Sequence, residues 1–388
     1  MYKIVLGILL VIGIGCTNQS HNDLPSHLKG IKNVKIYSAN EGSINELQVE
    51  RKQTFGTGKV IIGDLREVAV DKLGRIYIAD GKLLDIKVYQ SNGNFLKRLG
   101  RKGKGPGEFS EITNMQINDN GLFVYDHSRQ RAIVFSLDSL DYKSVINFAD
   151  NRDKFDELDE AYIGRKYLRS NDTFLTEFTK SNLSNNIKDW DRIENTGLYY
   201  LLNKDGKIIS KKLIETTSSF DVLVPYGPRS VGTYVEFYNK SLTTLSENDQ
   251  IYLAWSADFL IKVYNSKGDY QYAFYHPYQK VSLSRESASD AEIPKYILKG
   301  MSSMNLPETW PVLKTMFFDD KNRLWIATII EDMEMYKWWV LRETGNVITK
   351  FKWPRDKPIQ VVKNNYLYTK EKNEMGVPSI VKYSYEIN

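Results

Sequence analysis

Between Glu67 and Phe109, apolar and polar residues alternate in four short runs separated by turn-forming residues. With their turns, the runs read EVAV-DKLG-RIYIAD and IKVYQ-SNGN-FLKRL. Alternation with a period of two is typical of half-buried strands. Leu-Gly and Asn-Gly supply residues that tolerate the positive φ of tight hairpins. The stretch therefore predicts a four-stranded antiparallel meander.

Weaker copies of this meander recur to the C-terminus and align on their second strand. The six aligned segments are 76–80, 122–126, 173–176, 251–255, 324–328 and 366–369. Three of the five intervals between them are 42 to 51 residues long, which is typical of four-stranded propeller blades. Treating the two longer intervals as insertions predicts an all-β fold, a six-bladed β-propeller. Reading a further blade into the longest interval would give seven.

Two irregular stretches complete this prediction. Residues 282–311 have little β-branching and are expected to form a helical and loop insertion, and Val231–Tyr238 is expected to be the first strand of blade four. The last blade, roughly 358–387, shows only three strands. Because an open sheet edge invites aggregation, the strand near 33–49 is expected to supply the fourth and close the ring.

The N-terminus has the pattern of an export signal. Lys3 precedes the apolar run Ile4–Ile14, which is too short to span a bilayer, and Gly15-Cys16 follows. This resembles a bacterial lipoprotein signal with Cys16 as the lipidated residue; an ordinary secretory signal with a chance cysteine is the alternative. The expected organisation is a signal at 1–16, a flexible tether at 17–32 and a propeller at 33–388.

Parts of the first two blades resemble NHL repeats. The residues that carry the likeness are Ala79-Asp80, Lys87–Tyr89, Ser91–Leu96, Gly100–Phe109 and, in the next blade, Tyr125–Phe135. Together with the signal and the insertions, the whole chain resembles the six-bladed propeller lipoproteins of Bacteroidetes, which are similar to NHL and TolB-like propellers. The resemblance implies the fold and a cell-envelope location, as an outer-membrane lipoprotein on the periplasmic side or at the cell surface. The resemblance gives little information about catalytic or binding chemistry.

The charge distribution argues against nucleic acid as a ligand, and the glycine-rich run does not match a nucleotide-binding loop. The net charge is +5, from 53 Lys and Arg against 48 Asp and Glu, and no basic stripe is present, so nucleic acid is not expected as a partner. The glycine-rich run Gly100–Gly107 lacks the Gly-Lys-Ser/Thr of a phosphate loop and does not lead from a strand into a helix. We therefore expect it to connect two blades.

The sequence predicts no metal site and no cofactor. The four histidines, His21, His27, His127 and His276, form no metal-site motif, and the single cysteine is assigned to lipid. A calcium ion bound by loop carbonyl oxygens in the channel would leave no trace in the sequence. No serine lies in a Gly-x-Ser-x-Gly motif, which would indicate a catalytic serine nucleophile. His127 is expected to fix its loop.

Tryptophan is concentrated in blade five and beside it, at Trp310, Trp325, Trp338, Trp339 and Trp353. Most of these side chains are expected to pack between blades, and an exposed one would suit stacking on a sugar or a peptide. Trp338 and Trp339 must point to opposite faces if they lie in one strand.

A binding site is expected at one rim of the ring. The connections between second and third strands and the links between blades share this rim, and loops on a rigid scaffold often bind ligands. Guanidinium groups there would favour an anionic or carboxylate-bearing partner. The predicted site residues are Arg66, Asp80, Arg129, Arg131, Tyr226, Arg229 and Trp255.

These observations favour a binding module without chemistry of its own. The expected partner is an envelope protein or a glycan, the membrane is reached through lipidated Cys16, and the propeller is expected to be monomeric. An envelope enzyme, a lyase or hydrolase with its centre at the channel mouth, is the alternative. A structural component of a larger envelope complex is a third reading.

Overall fold

Six antiparallel sheets, arranged as the blades of a propeller, make up most of the chain that the structure describes. The computed structural model describes residues 24–38, 47–58, 60–183, 187–226, 229–290 and 293–387, except for the side chains at 289, 290 and 295. The predicted signal, Cys16 and the first residues of the tether lie outside these ranges.

The strands follow in chain order. Two precede the first blade: Val34–Ile36 (β1) and Gln48–Phe55 (β2). Blade one contains Leu65–Val70 (β3), Ile76–Asp80 (β4), Asp85–Tyr89 (β5) and Phe95–Leu99 (β6). A short parallel pair follows, Arg101–Lys102 (β7) and Glu108–Phe109 (β8). Blade two contains Asn114–Asn118 (β9), Gly121–Asp126 (β10), Arg131–Phe135 (β11) and Tyr142–Asn147 (β12).

The second half of the ring carries the irregular elements. Blade three has five strands: Tyr162–Leu168 (β13), Phe174–Ser181 (β14), Arg192–Leu202 (β15), Ile214–Tyr226 (β16) and Arg229–Tyr234 (β17). Blade four contains Ser241–Leu245 (β18), Ile251–Trp255 (β19), Leu260–Tyr264 (β20) and Tyr270–Tyr275 (β21). Blade five contains Leu313–Phe318 (β22), Leu324–Ile329 (β23), Met335–Leu341 (β24) and Val347–Pro354 (β25). Blade six contains Ile359–Lys363 (β26), Tyr366–Lys372 (β27) and Pro378–Glu386 (β28).

The helices are short and lie in connections. The insertion predicted at 282–311 is confirmed, with Arg285–Asp290 (α1), Lys295–Gly300 (α2) and a 3-10 turn at Met301–Ser303. The other 3-10 turns are Ser26–Leu28, His127–Arg129, Arg152–Lys154 and Asp156–Leu158. No helix in the described ranges is long and apolar enough to cross a membrane.

The predicted second strands are confirmed in all six blades, as β4, β10, β14, β19, β23 and β27. Both faces of these strands are buried, because each blade packs on a neighbour on either side. The hydrophobic core is therefore divided among the gaps between adjacent blades. Trp338 and Trp339 point to opposite faces as predicted, and both are buried, one toward blade six and the other toward blade four.

The ring closes through an N-terminal strand, but not quite where the sequence placed it. The closing strand is β2, which pairs antiparallel with β28 at the outer edge of blade six. The earlier strand β1 instead adds to blade four, parallel to β21. Tyr37 holds it there, because its hydroxyl donates to the Thr344 carbonyl at 2.7 Å and its ring stacks on buried His276 at 4.5 Å.

Two segments differ from their predicted structure. The stretch expected as a flexible tether packs against blade four from Leu24 onward, where Leu24, Leu28 and Ile31 cover Leu260 and Tyr275. Val231–Tyr238 is not the first strand of blade four; β17 is a fifth strand of blade three, and β18 is the inner strand of blade four.

The apolar residues that predicted a strand before β18 pack instead in a separate hydrophobic core. Val235, Phe237 and Tyr238 pack with Ile297 and Met301 of the helical insertion, together with Val222 and Val224 of β16. The β16–β17 hairpin and the insertion thus form one unit, named here the rim extension. It lies on the rim of the inter-blade links, where the binding site was expected.

The glycine-rich run is the predicted connector between blades one and two. Its backbone N–H groups at Lys104 and Gly105 donate to the Glu108 carboxylate at 3.0 and 2.9 Å, and Arg101 Nε donates to the same group at 2.8 Å. The backbone N–H groups at Lys104 and Gly105 are therefore already bound by Glu108, a carboxylate at the end of the same loop.

Candidate binding site

Asp80 was predicted to bind a ligand, but its carboxylate is fully buried and organises the rim loops of blade one. It accepts hydrogen bonds from Gly63 N (2.7 Å), Asp64 N (3.1 Å), Lys82 N (3.0 Å), Leu83 N (3.2 Å) and Lys87 Nζ (2.7 Å). Burial disfavours its charge, yet the Gly63 N–H and the Lys87 ammonium outweigh that effect and lower the pKa of Asp80. The geometry makes Asp80 a structural residue.

Arg131 has the same role in blade two. Its guanidinium is largely buried, and Nη2 donates to the Glu108 carbonyl at 2.8 Å and lies 3.3 Å from Asp126 Oδ2. Asp126 also accepts from the Ser110 N–H at 3.0 Å. Both groups therefore fix the loop between the blades.

The other predicted rim residues are more exposed. Arg66 pairs with Asp64 at 2.6 Å, and Arg129 Nε donates to Ser110 Oγ at 2.9 Å. The remaining three are Tyr226 and Arg229, which flank the tip of the β16–β17 hairpin, and Trp255, which packs edge-on against Phe220 at 5.3 Å. The strand topology places all seven predicted residues on the expected rim, but none lines its cavity.

A cavity of about 490 Å³ opens on this rim between blades two and three, and it is named here the rim cavity. It lies beside the channel mouth, because the inner strands β9 and β13 and the residue before β18 contribute to its wall. The β16–β17 hairpin supplies another side. The lining residues are Thr113, Asn114, Tyr125, His127, Tyr162, Gly164, Arg165, Lys166, Glu177, Thr179, Ser218, Ser219, Asp221, Tyr234 and Lys240.

Two lysines of the rim cavity have no carboxylate within ion-pair distance among the described residues. Lys166 Nζ donates to the Gly164 carbonyl at 3.0 Å and lies 5.4 Å from the Phe148 ring centroid. Lys240 Nζ lies 4.7 Å from the Tyr234 ring centroid. Burial lowers the pKa of Lys166 to about 8. Burial, followed by repulsion from Lys314 and Arg165, lowers the pKa of Lys240 to about 8 as well.

Two carboxylates that line the cavity are already hydrogen-bonded. Glu177 is buried in β14 and accepts from Ser218 Oγ. Asp221 accepts from Ser219 Oγ at 3.0 Å, and burial still raises the pKa of Asp221 above its usual value. Their remaining lone pairs are available to donors in a ligand.

Tyrosines complete the wall. Tyr162 is half exposed, and Tyr234 carries Lys240 against its ring. Tyr125 is buried, and its hydroxyl has no hydrogen-bond partner in the described chain. Burial also raises the pKa of Tyr125. A buried hydroxyl without a partner is costly, so a polar ligand atom there would be favourable.

Sequence reasoning missed these residues, although one signal was present. Glu177 stands in the run FLTEFT, where the residues on either side are buried. A charged residue inside a buried strand is rare unless it has a specific role. By contrast, nothing in the sequence indicated that β13, β14 and β16 meet at one cavity, because that depends on how the strands of the blade are arranged in space.

A second cavity, of about 720 Å³, opens at the opposite rim among the hairpin turns. Many of its polar groups already join neighbouring blades. Gln116 Nε2 donates to the Lys166 carbonyl at 2.6 Å, Ser170 Oγ donates to Asp249 at 2.7 Å, and the Asn364 N–H donates to Asp320 at 2.7 Å. In the described ranges, no group of three or more His, Cys, Asp or Glu side chains is placed to hold a metal ion.

The family model for DUF5128, described as 6-bladed beta-propeller, matches residues 56–327. The chain belongs to this family. The predicted resemblance to six-bladed Bacteroidetes propellers is thereby confirmed for family and fold, while the NHL and TolB-like likenesses stay predictions. No curated protein matches the chain.

Solved structures that the chain is similar to include two from Bacteroides. A member of the DUF4221 family from Bacteroides vulgatus is 13% identical, with a TM-score of 0.52 over 89% of this chain and 99% of that one. A candidate exported protein of Bacteroides fragilis is 9% identical, with a TM-score of 0.49 over 91% and 99%. At 13% identity, the likeness to the Bacteroides vulgatus structure shows the fold alone.

Proposed function

We propose that this DUF5128 protein is an exported, lipid-anchored binding module of the bacterial cell envelope, and that its ligand occupies the rim cavity. The segment that ends at Cys16 supports export and anchoring. The ligand is a protein segment or a glycan of the envelope. Binding is assigned to the cavity and not to the seven predicted rim residues, because several of those are engaged in holding loops.

One observation carries the proposal: Lys166 and Lys240 line a common cavity, and neither has an ion-pair partner in the part of the chain that the structure describes. Glu236 is the carboxylate that acts on Lys240, and it is already paired with Lys314 at 2.5 Å. Holding a partly desolvated ammonium group without a counter-charge costs stability. A protein that keeps two such groups in one cavity gains from a ligand that neutralises them.

The test is a thermal-shift screen of the purified protein against glycans and peptides, followed by calorimetric titration of each compound that raises the melting temperature. A specific ligand stabilises the folded state in proportion to its occupancy. Replacing Lys166 and Lys240 together by Met removes both charges while keeping apolar stems of similar length, so binding should fall at least tenfold.

The matched control is Lys82→Met, which removes an exposed charge from the same rim without touching the cavity. It should leave binding unchanged. If every ligand found binds the double variant as tightly as the original protein, the rim cavity is not the site. Conversion of a bound ligand to product would assign the protein to the alternative class, an envelope enzyme.

A further inference from the structure

The cations and the acceptors of the rim cavity lie on different elements. Lys166 belongs to the inner strand of blade three, and Lys240 directly precedes the inner strand of blade four. Arg165 lies beside them and is held by a bond from Nη1 to the Ser241 carbonyl at 2.9 Å. An anionic ligand that enters the cavity therefore meets positive charge contributed by two blades.

The acceptor side is suited to neutral hydroxyl groups. Glu177 and Asp221 each receive a bond from a serine and keep further lone pairs. Such carboxylates would repel a compact dianion such as phosphate if it came close to them, but they accept hydroxyl donors well. A ligand that fits both kinds of group therefore carries a negative charge and several hydroxyl groups.

Aromatic rings flank this arrangement. Tyr162 and Tyr234 line the cavity, and so does Tyr125, whose hydroxyl has no hydrogen-bond partner among the described residues. Aromatic rings pack well against the apolar C–H faces of a compact polar ligand, although the Tyr234 hydroxyl already donates to the Tyr238 carbonyl at 3.2 Å. A volume of about 490 Å³ is suited to a small ligand and not to a long extended chain.

We propose that the rim cavity binds an acidic saccharide, whose negative charge is attracted by Lys166 and Lys240 and whose hydroxyls donate to Glu177 and Asp221. This rests on the function proposed above and names its ligand class. A peptide carboxylate would also satisfy the lysines, but a peptide spaces its N–H donors along an extended backbone, whereas a sugar ring presents several hydroxyl donors within a cavity of about 490 Å³.

The proposal also predicts that the affinity for the ligand depends on pH. The charged groups that act on Lys240 are Lys314, Arg165 and Glu236, and the first two favour loss of its proton. Both cavity lysines have a pKa near 8 in the free protein, so they are mostly charged below pH 7 and lose charge through pH 8 to 9. A bound carboxylate favours the charged forms. Affinity should therefore fall as pH rises through that window, and binding at pH 8 should take up protons.

The experiment is calorimetric titration of the full mature protein with galacturonic acid, glucuronic acid and their disaccharides, against galactose, glucose and inorganic phosphate. We expect a uronic acid to bind at least tenfold more tightly than its neutral counterpart. Lys166→Met and Lys240→Met should each weaken it by about tenfold to a hundredfold, the usual effect of a lost charge-assisted bond. Lys240→Arg should retain most of the affinity, and Lys82→Met all of it.

Several results would overturn the proposal. These are equal binding of acidic and neutral sugars, no binding of the acidic sugars, or uronate binding that both Met variants leave unchanged. If peptides or phosphate bind in a manner that depends on Lys166 and Lys240 while uronates do not, the ligand class is wrong but the cavity remains the binding site. Proton uptake at pH 8, measured in buffers of different ionisation enthalpy, separates direct charge neutralisation from a purely structural role of the lysines.

Discussion

At the scale of the residue, buried carboxylates hold the turns and loops of this propeller. The turn DKLGRIY in blade one and the turn DDKNRLW in blade five use the same device. Asp71 accepts from Arg75 N and Nε and from the Tyr77 hydroxyl, and Asp319 accepts from Arg323 N and Nε and from Trp325 Nε1. One aspartate thus ties a hairpin turn to the following strand.

The replacement Asp80→Asn tests the equivalent role on the opposite rim. It leaves Lys87 with Asp85 alone and weakens the bonds from the loop N–H groups, so we expect a loss of about 3–5 kcal/mol in the free energy of unfolding. Denaturant unfolding measures it. The control is Arg66→Ala, which breaks an exposed pair with Asp64 and should cost about 1 kcal/mol or less.

The same variant has a pH signature. Because the folded protein lowers the pKa of Asp80, the stabilising contribution of its charge is complete above the unfolded pKa of about 4 and is lost as pH falls through the folded value. The stability difference between the original protein and Asp80→Asn should be constant from pH 7 to 5 and shrink below about pH 4. A difference that grows on acidification would contradict this assignment.

At the scale of the element, β2 closes the ring. Its sequence, QVERKQTF, is polar and mostly exposed, as an outer strand with one free edge allows. Phe55 at its end is the exception, because it is buried in the core shared by blades six and one. This low apolar content explains why the sequence indicated a closing strand near 33–49 but not its position.

We expect Phe55→Ala to lower the free energy of unfolding by about 3–5 kcal/mol, because it leaves a cavity at the closure. Val49→Ala in the same strand is the matched control, since Val49 is 37% exposed and should cost little. Differential scanning calorimetry compares the two. Equal melting temperatures would show that closure by β2 contributes nothing at this position.

At the scale of the whole molecule, the rim cavity exists because three strands of blade three approach the edges of blades two and four. The long β16–β17 hairpin rises beyond the rim and is supported by the helical insertion through a core of its own. Anchoring belongs to the same scale, since the proposed lipid on Cys16 would attach the whole ring to a membrane.

The replacement Cys16→Ser tests the anchor. Without a thiol for acylation, the protein should move from the membrane fraction to the soluble fraction, because the acyl chains supply the membrane affinity. Fractionation and labelling with a radioactive fatty acid in a Bacteroidetes host measure both effects. If the variant stays in the membrane fraction as the original protein does, the lipid-anchor assignment is wrong.

The alternation and the turn residues determined the second strand of each blade and, with the two long intervals taken as insertions, the count of six blades; the low content of β-branched residues indicated the helical insertion. These depend on local periodicity and on neighbours within about 45 residues. Only the tertiary structure decided that Asp80 and Arg131 hold loops, that β1 joins blade four, and that Lys166, Glu177 and Lys240 share a cavity. The physical reason is that partners for outer strands and for charged side chains come from segments far apart in the chain. Their pairing is set by the closed geometry of the ring, and a local pattern does not encode it.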